Sequence, residues 1–344
     1  MTSAEYPEAS VVIPCRNEAA HVLRAIDSVL ASEYPREKLE LIVVDGMSTD
    51  GTRELLRDAA SRHPGLRVLD NPAMTAPAAM NIGIRASRHA VIVRLDAHSE
   101  YPPDYIPRCV GLLRSSPGLG NAGGRLVPVP NGSTPWAKAV SYVTSHRFGV
   151  GTSAFRTAER PGLVDTVPFG TFPREALEKV GLYDVRLTRN QDNELNARLQ
   201  RAGYGIAFDP GIRLRYRNQA DLRGLTRQAW FTGMWNVYTL ALYPYTFRLR
   251  RFVPAAFVAY LALLAGAAFL RAPAAAAAPL ALYAALVSVV SLRGGGEAGG
   301  PLPAAATFAS YHVAYGAGTL LGVVKVLTGR WREELGRPLG GRGA

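Results

Sequence analysis

The segment VIVRLDAH ends an apolar run with Asp96 and His98 one residue apart. An oxygen donor and a nitrogen donor so spaced can be turned onto one divalent cation such as Mn2+. A histidine near a turn carries little meaning alone; the neighbouring carboxylate gives it one. Asp45 closes a second apolar run, LELIVVD, and is followed by GMSTDG. Those small residues let a ligand reach the backbone, and a carboxylate at a strand end can accept from a ribose or a base. The structural reading of the same stretch is that Ser48 or Asp50 caps the next helix. TRNQDNELNARLQ sets Asp192 and Glu194 in the first turn of a helix whose Leu195 and Leu199 share a packed face. Acidic residues favour that end of a helix in any case. If a hydroxyl is to be deprotonated, a carboxylate on a rigid helix is what that step requires, and Asp192 and Glu194 both stand in that first turn. In FGVGTSAFR, Gly149 and Gly151 permit close backbone approach and Arg156 can hold a phosphate, although the spacing fits neither a dinucleotide fingerprint nor a Walker loop.

These residues need a scaffold, and the first 210 residues read as alternating strands and helices. Strands are expected at 9–14, 39–45, 66–70 and 89–96, with helices over 17–32, 52–62 and 78–86. Near-continuous apolar strands joined through helices predict a parallel sheet covered on both faces, whose functional groups gather at the strands' carboxyl ends. Those ends carry Asn17 and Glu18, Asp45, and Asp96.

The 344 residues suffice for two units, and 48% hydrophobic against 19% charged residues excludes a disordered chain. Two cysteines, Cys15 and Cys109, cannot build a disulfide framework or a cysteine-rich metal site. No cleavable signal is visible in MTSAEYPEAS, so the catalytic part is expected in the cytoplasm. The net charge of +12 is unevenly spread: residues 1–200 hold 23 Lys and Arg against 22 Asp and Glu, whereas 201–251 hold nine Arg against Asp209 and Asp221. That excess precedes the most apolar part of the chain and suits anionic lipids or a phosphorylated lipid, not nucleic acid.

Uncharged stretches at 252–270 and 274–292 are each about 28 Å long as helices, which predicts two membrane spans. A third at 304–327 carries His312 and Lys325 as well as Gly316, Gly318 and Gly322, which suit close helix packing. Arg248, Arg250 and Arg251 place the start of the first span on the cytoplasmic side, while Arg330, Arg332, Arg337 and Arg342 conflict with three full crossings. The aromatic segment 227–247 reads as an interfacial helix. The expected organisation is a catalytic domain at 1–220, a basic aromatic segment at 221–251, a membrane domain at 252–330 with two or three transmembrane helices, and a basic tail at 331–344.

Taken together, these residues resemble the family-2 inverting glycosyltransferases of GT-A (Rossmann-like) fold, above all their succinoglycan-biosynthesis, ExoA-like branch. The likeness runs from VVIPCRNEA through VVDGMSTDGT and RLDAHSEYP to FGVGTSAFR, VDTVPFGTFPRE and GLYDVRLTRNQDNELNARLQRAG, over about residues 10–250. It implies a nucleotide-diphosphate sugar donor, UDP-linked, with Pro14, Asn17 and Glu18 in the first nucleotide-binding loop and Asp45 near the uracil or ribose. Asp96 and His98 fall on the family's metal-binding acid pair, with histidine replacing the usual second aspartate, and Asp192 falls on the catalytic base. The cation is Mn2+ or Mg2+. Gly170 and Thr171 fall on an acceptor-side strand or turn, where a purely structural role is equally open. Arg227, Gln228 and Trp230 lie where processive relatives hold a growing polymer, but their spacing differs, so transfer of one sugar is expected.

The implied protein is a multi-pass enzyme of the cell membrane with a polyprenyl-linked or surface glycan as acceptor and with anionic membrane lipids, or a membrane complex, as partners. A sugar-phosphate nucleotidyltransferase would share the α/β nucleotide site and the metal, but PCRNEA lacks its glycine-rich basic signature. A catalytically degenerate, glycan-binding membrane protein is the non-enzymatic alternative, and His98 is the residue that favours it.

Overall fold

The computed structural model describes residues 6–269 and 277–338. The four apolar runs become β1 (Ala9–Cys15), β2 (Leu39–Asp45), β3 (Leu66–Asp70) and β4 (Val91–Arg94), connected through α1 (Val22–Leu30), α2 (Thr52–Arg62) and α3 (Ala76–Ala86). Next come β5 (Ser99–Glu100), α4 (Tyr105–Arg114), β6 (Leu119–Val129), α5 (Pro135–Ser145), α6 (Arg147–Val150) and α7 (Ala154–Thr157). They are followed by β7 (Gly162–Leu163), β8 (Thr171–Pro173), α8 (Arg174–Val180), α9 (Gln191–Arg201) and β9 (Gly205–Arg217). The chain then turns helical in α10 (Leu222–Leu242), α11 (Val253–Phe269), α12 (Ala278–Gly294) and α13 (Pro301–Leu327).

The strands form one mixed sheet in the order β3-β2-β1-β4-β8-β6-β9-β5, with β7 on β9. The pairs among β1, β2, β3 and β4 are parallel, whereas β8 runs antiparallel to β4 and β6, and β5 and β7 run antiparallel to β9. Alternation along the strands divides the core. Val11, Ile13 and Val43 face one apolar layer with Val22, Ile26 and Tyr105, while Val12, Ile42 and Val44 face the other with Met80, Ile84 and Leu195. After β3 at one end of this order the chain returns past β2 and β1 to β4, which makes the junction of β1 and β4 a topological switch point. A ligand crevice belongs outside the carboxyl ends of those two strands. Pro14 costs the sheet little there, because β1 pairs with β4 only as far as Val12 opposite Arg94.

The chain divides into two compact units. The first comprises the described residues to Val127, Ala154–Tyr216 and those from Leu335; the second comprises Pro128–Ser153 and Arg217–Glu334. Within the second, α13 lies along α10 and packs on α11 and α12. Its glycines serve that contact: an added Cβ would strike the Pro254 carbonyl at Gly316, the Trp230 carbonyl at Gly318 and, at 2.9 Å, the Met234 carbonyl at Gly322.

The membrane expectation is corrected here. Among the described residues no helix is both long and apolar enough to cross a membrane. Helices α11 and α12 have 17 residues each, about 25 Å of rise against a hydrocarbon core of about 30 Å. The 27 residues of α13 have the length, but small residues, His312 and Lys325 dilute its apolar character. Residue 270 and residues 274–276 of the two expected spans lie outside the described residues, as do residues 339–344 of the basic tail. In α10 the rings of Trp235 and Tyr238 are buried, while Trp230 and Phe231 are half-buried. The expected transmembrane domain and multi-pass location at the cell membrane therefore lose their basis. The lipids and membrane complex named as partners lose theirs with them.

Candidate active site

The loops after β1 and β2 are laced together. Asn17 takes φ 55, its backbone N–H donates to Ser48 Oγ at 2.8 Å, and its side-chain oxygen accepts from Thr49 N at 2.9 Å. Glu18 N donates to Thr52 Oγ1 at 2.9 Å and Ala19 N to Asp50 Oδ2 at 3.1 Å. Asn17 at φ 55 lies outside the right-handed helical region, and α1 begins at Val22 and not at the expected residue 17. Asp50 also accepts from Thr52 N at 3.1 Å, so the capping alternative holds for it in part. Burial works to raise the Asp50 pKa, but the bonds from Thr52 and Ala19 outweigh it and the carboxyl lies below its ordinary value.

Asp45 ends β2 with a side chain only 1% exposed. Its oxygens accept from Ser48 Oγ at 2.5 Å, Ser48 N at 3.1 Å and Arg53 Nη1 at 3.2 Å. Arg53 also reaches Asp70 at 2.9 Å. The carboxylate therefore fixes the turn that follows β2, with Arg53 as a partner the sequence did not single out.

At the end of β4, His98 Nδ1 lies 3.1 Å from Glu18 Oε1, and His98 Nε2 lies 3.9 Å from Asp96 Oδ2. Burial disfavours a charged ring, but the Glu18 bond and the charges of Asp96 and Glu18 prevail and raise the His98 pKa above its ordinary value. Glu18 thus reaches the histidine across 80 residues of sequence. A carboxylate on one ring nitrogen is the usual support for a histidine that binds metal through the other. The Asp96 and His98 donors fit a divalent ion of the Mn2+ kind. Among the described residues no group of three or more His, Cys, Asp or Glu is gathered to hold a metal.

Asp192 lies in the first turn of α9, which follows Asn190 at φ 60. Asn196, one turn on, anchors the helix: its side chain accepts from Asn121 Nδ2 at 2.7 Å and donates to Thr166 Oγ1 at 2.8 Å. The Asp192 carboxylate is 28% exposed and is paired with Arg94, which also reaches Asp96 at 3.2 Å. Burial raises the Asp192 pKa, Arg94 lowers it, and Asp96 raises it again, leaving the carboxyl above its ordinary value. Glu194 is placed otherwise. It is fully buried and takes two 2.7 Å bonds from Arg198, which also donates to the Val180 and Leu182 carbonyls. Two residues along a helix turn a side chain by about 200°, and here that separates a cleft carboxylate from a structural ion pair.

Arg94 is the residue the sequence reading passed over. Its signal was a lone arginine inside an apolar run two residues before Asp96. Arg156 stands in α7 with its guanidinium 5.4 Å from the Phe155 ring. Its charge, with that of Arg189, acts on Tyr216, whose ring meets His98 edge-on at 5.4 Å. In FGVGTSAFR, Gly149 belongs to α6 and packs on the Val143 carbonyl, whereas Gly151 follows the helix, exposed, at φ 64. Thr171 pairs with Val93 and Ala122 within the sheet, and a Cβ on Gly170 would collide with the Asn121 side chain, so both have structural reasons for their identity.

A mixed α/β sheet with a topological switch point, an acid–histidine pair and a helix-borne carboxylate suits a nucleotide-using group-transfer enzyme. The chain belongs to glycosyl transferase family 2, whose family model matches residues 10–181. It is accordingly a family-2 glycosyltransferase, which sets aside the nucleotidyltransferase and non-enzymatic alternatives. It is 32% identical to the succinoglycan biosynthesis protein ExoA of Rhizobium meliloti over 64% of this chain and 67% of that one. To the glycosyltransferase AglE of Haloferax volcanii it is 29% identical, over 60% of this chain and 66% of that one. The chain thus spans about two thirds of the length of these relatives. In fold it is similar to the mannosyltransferase PcManGT from Pyrobaculum calidifontis, solved with GDP-Man and Mn2+, at a TM-score of 0.65 and 21% identity, covering 94% of this chain and 88% of that one. The fold is therefore GT-A-like.

Proposed function

We propose that this glycosyltransferase is an inverting enzyme of the ExoA-like branch that moves one sugar from a nucleotide-diphosphate donor, UDP-linked, to a hydroxyl of a lipid-linked or cell-surface glycan. The observation that carries the proposal is the placement of Asp192, a carboxylate with a raised pKa, across Arg94 from the Asp96–His98 pair. A base and a donor-side acid held apart by one cation suit attack on one face of a sugar and departure from the other.

Asp192 accepts the proton of the acceptor hydroxyl as its oxygen bonds to the anomeric carbon. The bond from that carbon to the diphosphate oxygen breaks on the opposite face with its electron pair, no covalent enzyme intermediate forms, and the configuration inverts. Asp96 and His98 would hold a divalent cation, Mn2+ or Mg2+, which when bound would supply positive charge to the departing diphosphate. Glu18 orients His98. The loop of Pro14 and Asn17, fastened to the turn that Asp45 holds, receives the nucleotide, and Arg156 is the proposed phosphate contact. PcManGT, solved in complex with GDP-Man and Mn2+, supports a nucleotide-sugar and cation of this class.

The test is a transfer assay with UDP- and GDP-sugars, Mn2+ or Mg2+, and polyprenyl-linked or free glycan acceptors, with the product's anomeric configuration read by NMR. A retained configuration would remove the direct-displacement reading, and transfer from GDP-sugars alone would remove the uridine assignment.

A further inference from the structure

Arg94 closes a central strand at 4% exposure, between Val93 and Leu95, which are fully buried. An aliphatic residue would pack that position without the cost of burying a charge. Its surroundings hold the guanidinium from several sides. The Phe169 ring faces it at 5.4 Å, and Phe169 does so from a backbone φ of 48, a conformation bulky residues rarely adopt and surrounding structure must impose. The imposing bonds are present: Tyr105 Oη donates to the Phe169 carbonyl at 3.3 Å, and Arg94 N donates to the Gly170 carbonyl at 3.0 Å. The Phe169 ring continues to Tyr216 at 6.5 Å, and Tyr216 to His98 at 5.4 Å. The two terminal nitrogens of the guanidinium are divided between the carboxylates, Nη1 to Asp192 and Nη2 to Asp96.

We infer that Arg94 is a positioning residue for sugar transfer, a rigid fork that fixes the Asp192 carboxylate relative to the donor side of the site. The inference rests on the reading of Asp192 as the base and Asp96 as a donor-side acid. Asn196 pins the helix that carries Asp192, and Arg94 pins the carboxylate itself. Two like charges at one site repel, and a planar guanidinium can hold both at set positions. A lysine at the same place keeps the charge but offers a single point on a flexible stem.

The test is steady-state kinetics of Arg94→Lys, alone and combined with Asp192→Asn, with circular dichroism to check the fold. Displacing a base by about 1 Å costs about 100-fold, so Arg94→Lys should lose about 10- to 100-fold in kcat while donor KM changes by less than about threefold. In the Asp192→Asn background the same change should cost less than about threefold, because its effect travels through that carboxylate. Equal losses in both backgrounds would overturn the inference and leave the base assignment standing. A raised donor KM with unchanged kcat would also overturn it, in favour of a nucleotide contact. Normal turnover of Asp192→Asn would remove the base assignment and this inference with it. If Arg94→Lys does not fold, Phe169→Leu serves, because it leaves both ion pairs and uncovers the guanidinium. It should lower kcat several-fold at unchanged KM in the native background alone, and an unchanged kcat would overturn the clamp.

Discussion

Asp192→Asn removes a proton acceptor and a negative charge at nearly constant volume. The amide oxygen can still accept from Arg94, and Arg94 keeps Asp96 and the Phe169 ring, so the guanidinium is not stranded. The fold should survive. A positioned base contributes about 10²- to 10⁴-fold, or about 2.7–5.4 kcal/mol at about 1.36 kcal/mol per decade, and transfer should fall by that amount. Nucleotide affinity should hold within about twofold, because the substitution removes an interaction made in the transition state. The loop proposed to receive the nucleotide is fastened by Ser48, Thr52 and Asp50, none of which depends on Asp192. The pH profile gives an independent reading. Burial and Asp96 raise the Asp192 pKa against the opposing charge of Arg94, and Tyr183, Tyr101 and His98 are further titratable groups that feel the charges of this cluster. The base works ionised, so wild-type transfer should decline as pH falls through a value above the ordinary carboxylate range, and the variant should lack that acid limb. Initial rates of nucleotide release and product formation, with calorimetry for UDP, measure all three quantities. Turnover near wild type in a folded Asp192→Asn enzyme would refute the assignment.

Glu194→Gln should behave in the opposite sense, lowering the melting temperature through loss of about 1.5–3 kcal/mol of charge-assisted bonding to Arg198, with no selective loss of turnover in the protein that folds. Glu18→Gln removes the charged support of His98 and should weaken Mn2+ binding about 10- to 100-fold, which electron paramagnetic resonance titration of the free ion would show. Asp45→Ala frees Ser48 and Arg53 and should weaken UDP binding about tenfold by calorimetry, equivalent to one charge-assisted bond, with unfolding ruled out by circular dichroism.

The parallel half of the sheet was legible because a strand buried on both faces must be apolar throughout, and residues at its carboxyl end stand out against that background. Asp45 and Asp96 were found that way. Arg94 was hidden by the same rule, since a charge inside the run reads as noise until its partners, 98 residues away and two residues away, are seen on either side of it. The Glu18–His98 contact was hidden by sequence distance alone. Asp192 and Glu194 could be ranked only by direction, which a helix decides through side-chain rotation and through Arg198 four residues beyond Glu194.

The helical region was misread for a different physical reason. An uncharged run is dictated equally by a lipid environment and by neighbouring helices whose backbones nearly touch, because both exclude water. Spacing of small residues favours the second whenever their partners are in the chain. Gly316, Gly318 and Gly322 find theirs in Pro254, Trp230 and Met234, and buried His312 finds Tyr283 and the Phe148 carbonyl at 3.0 Å each. His312 in lipid would need those partners even more, so its presence within 304–327 did not distinguish the environments. Over the described residues α11 and α12 run for 17 residues each, about one turn less than the hydrocarbon thickness that the composition alone had seemed to match.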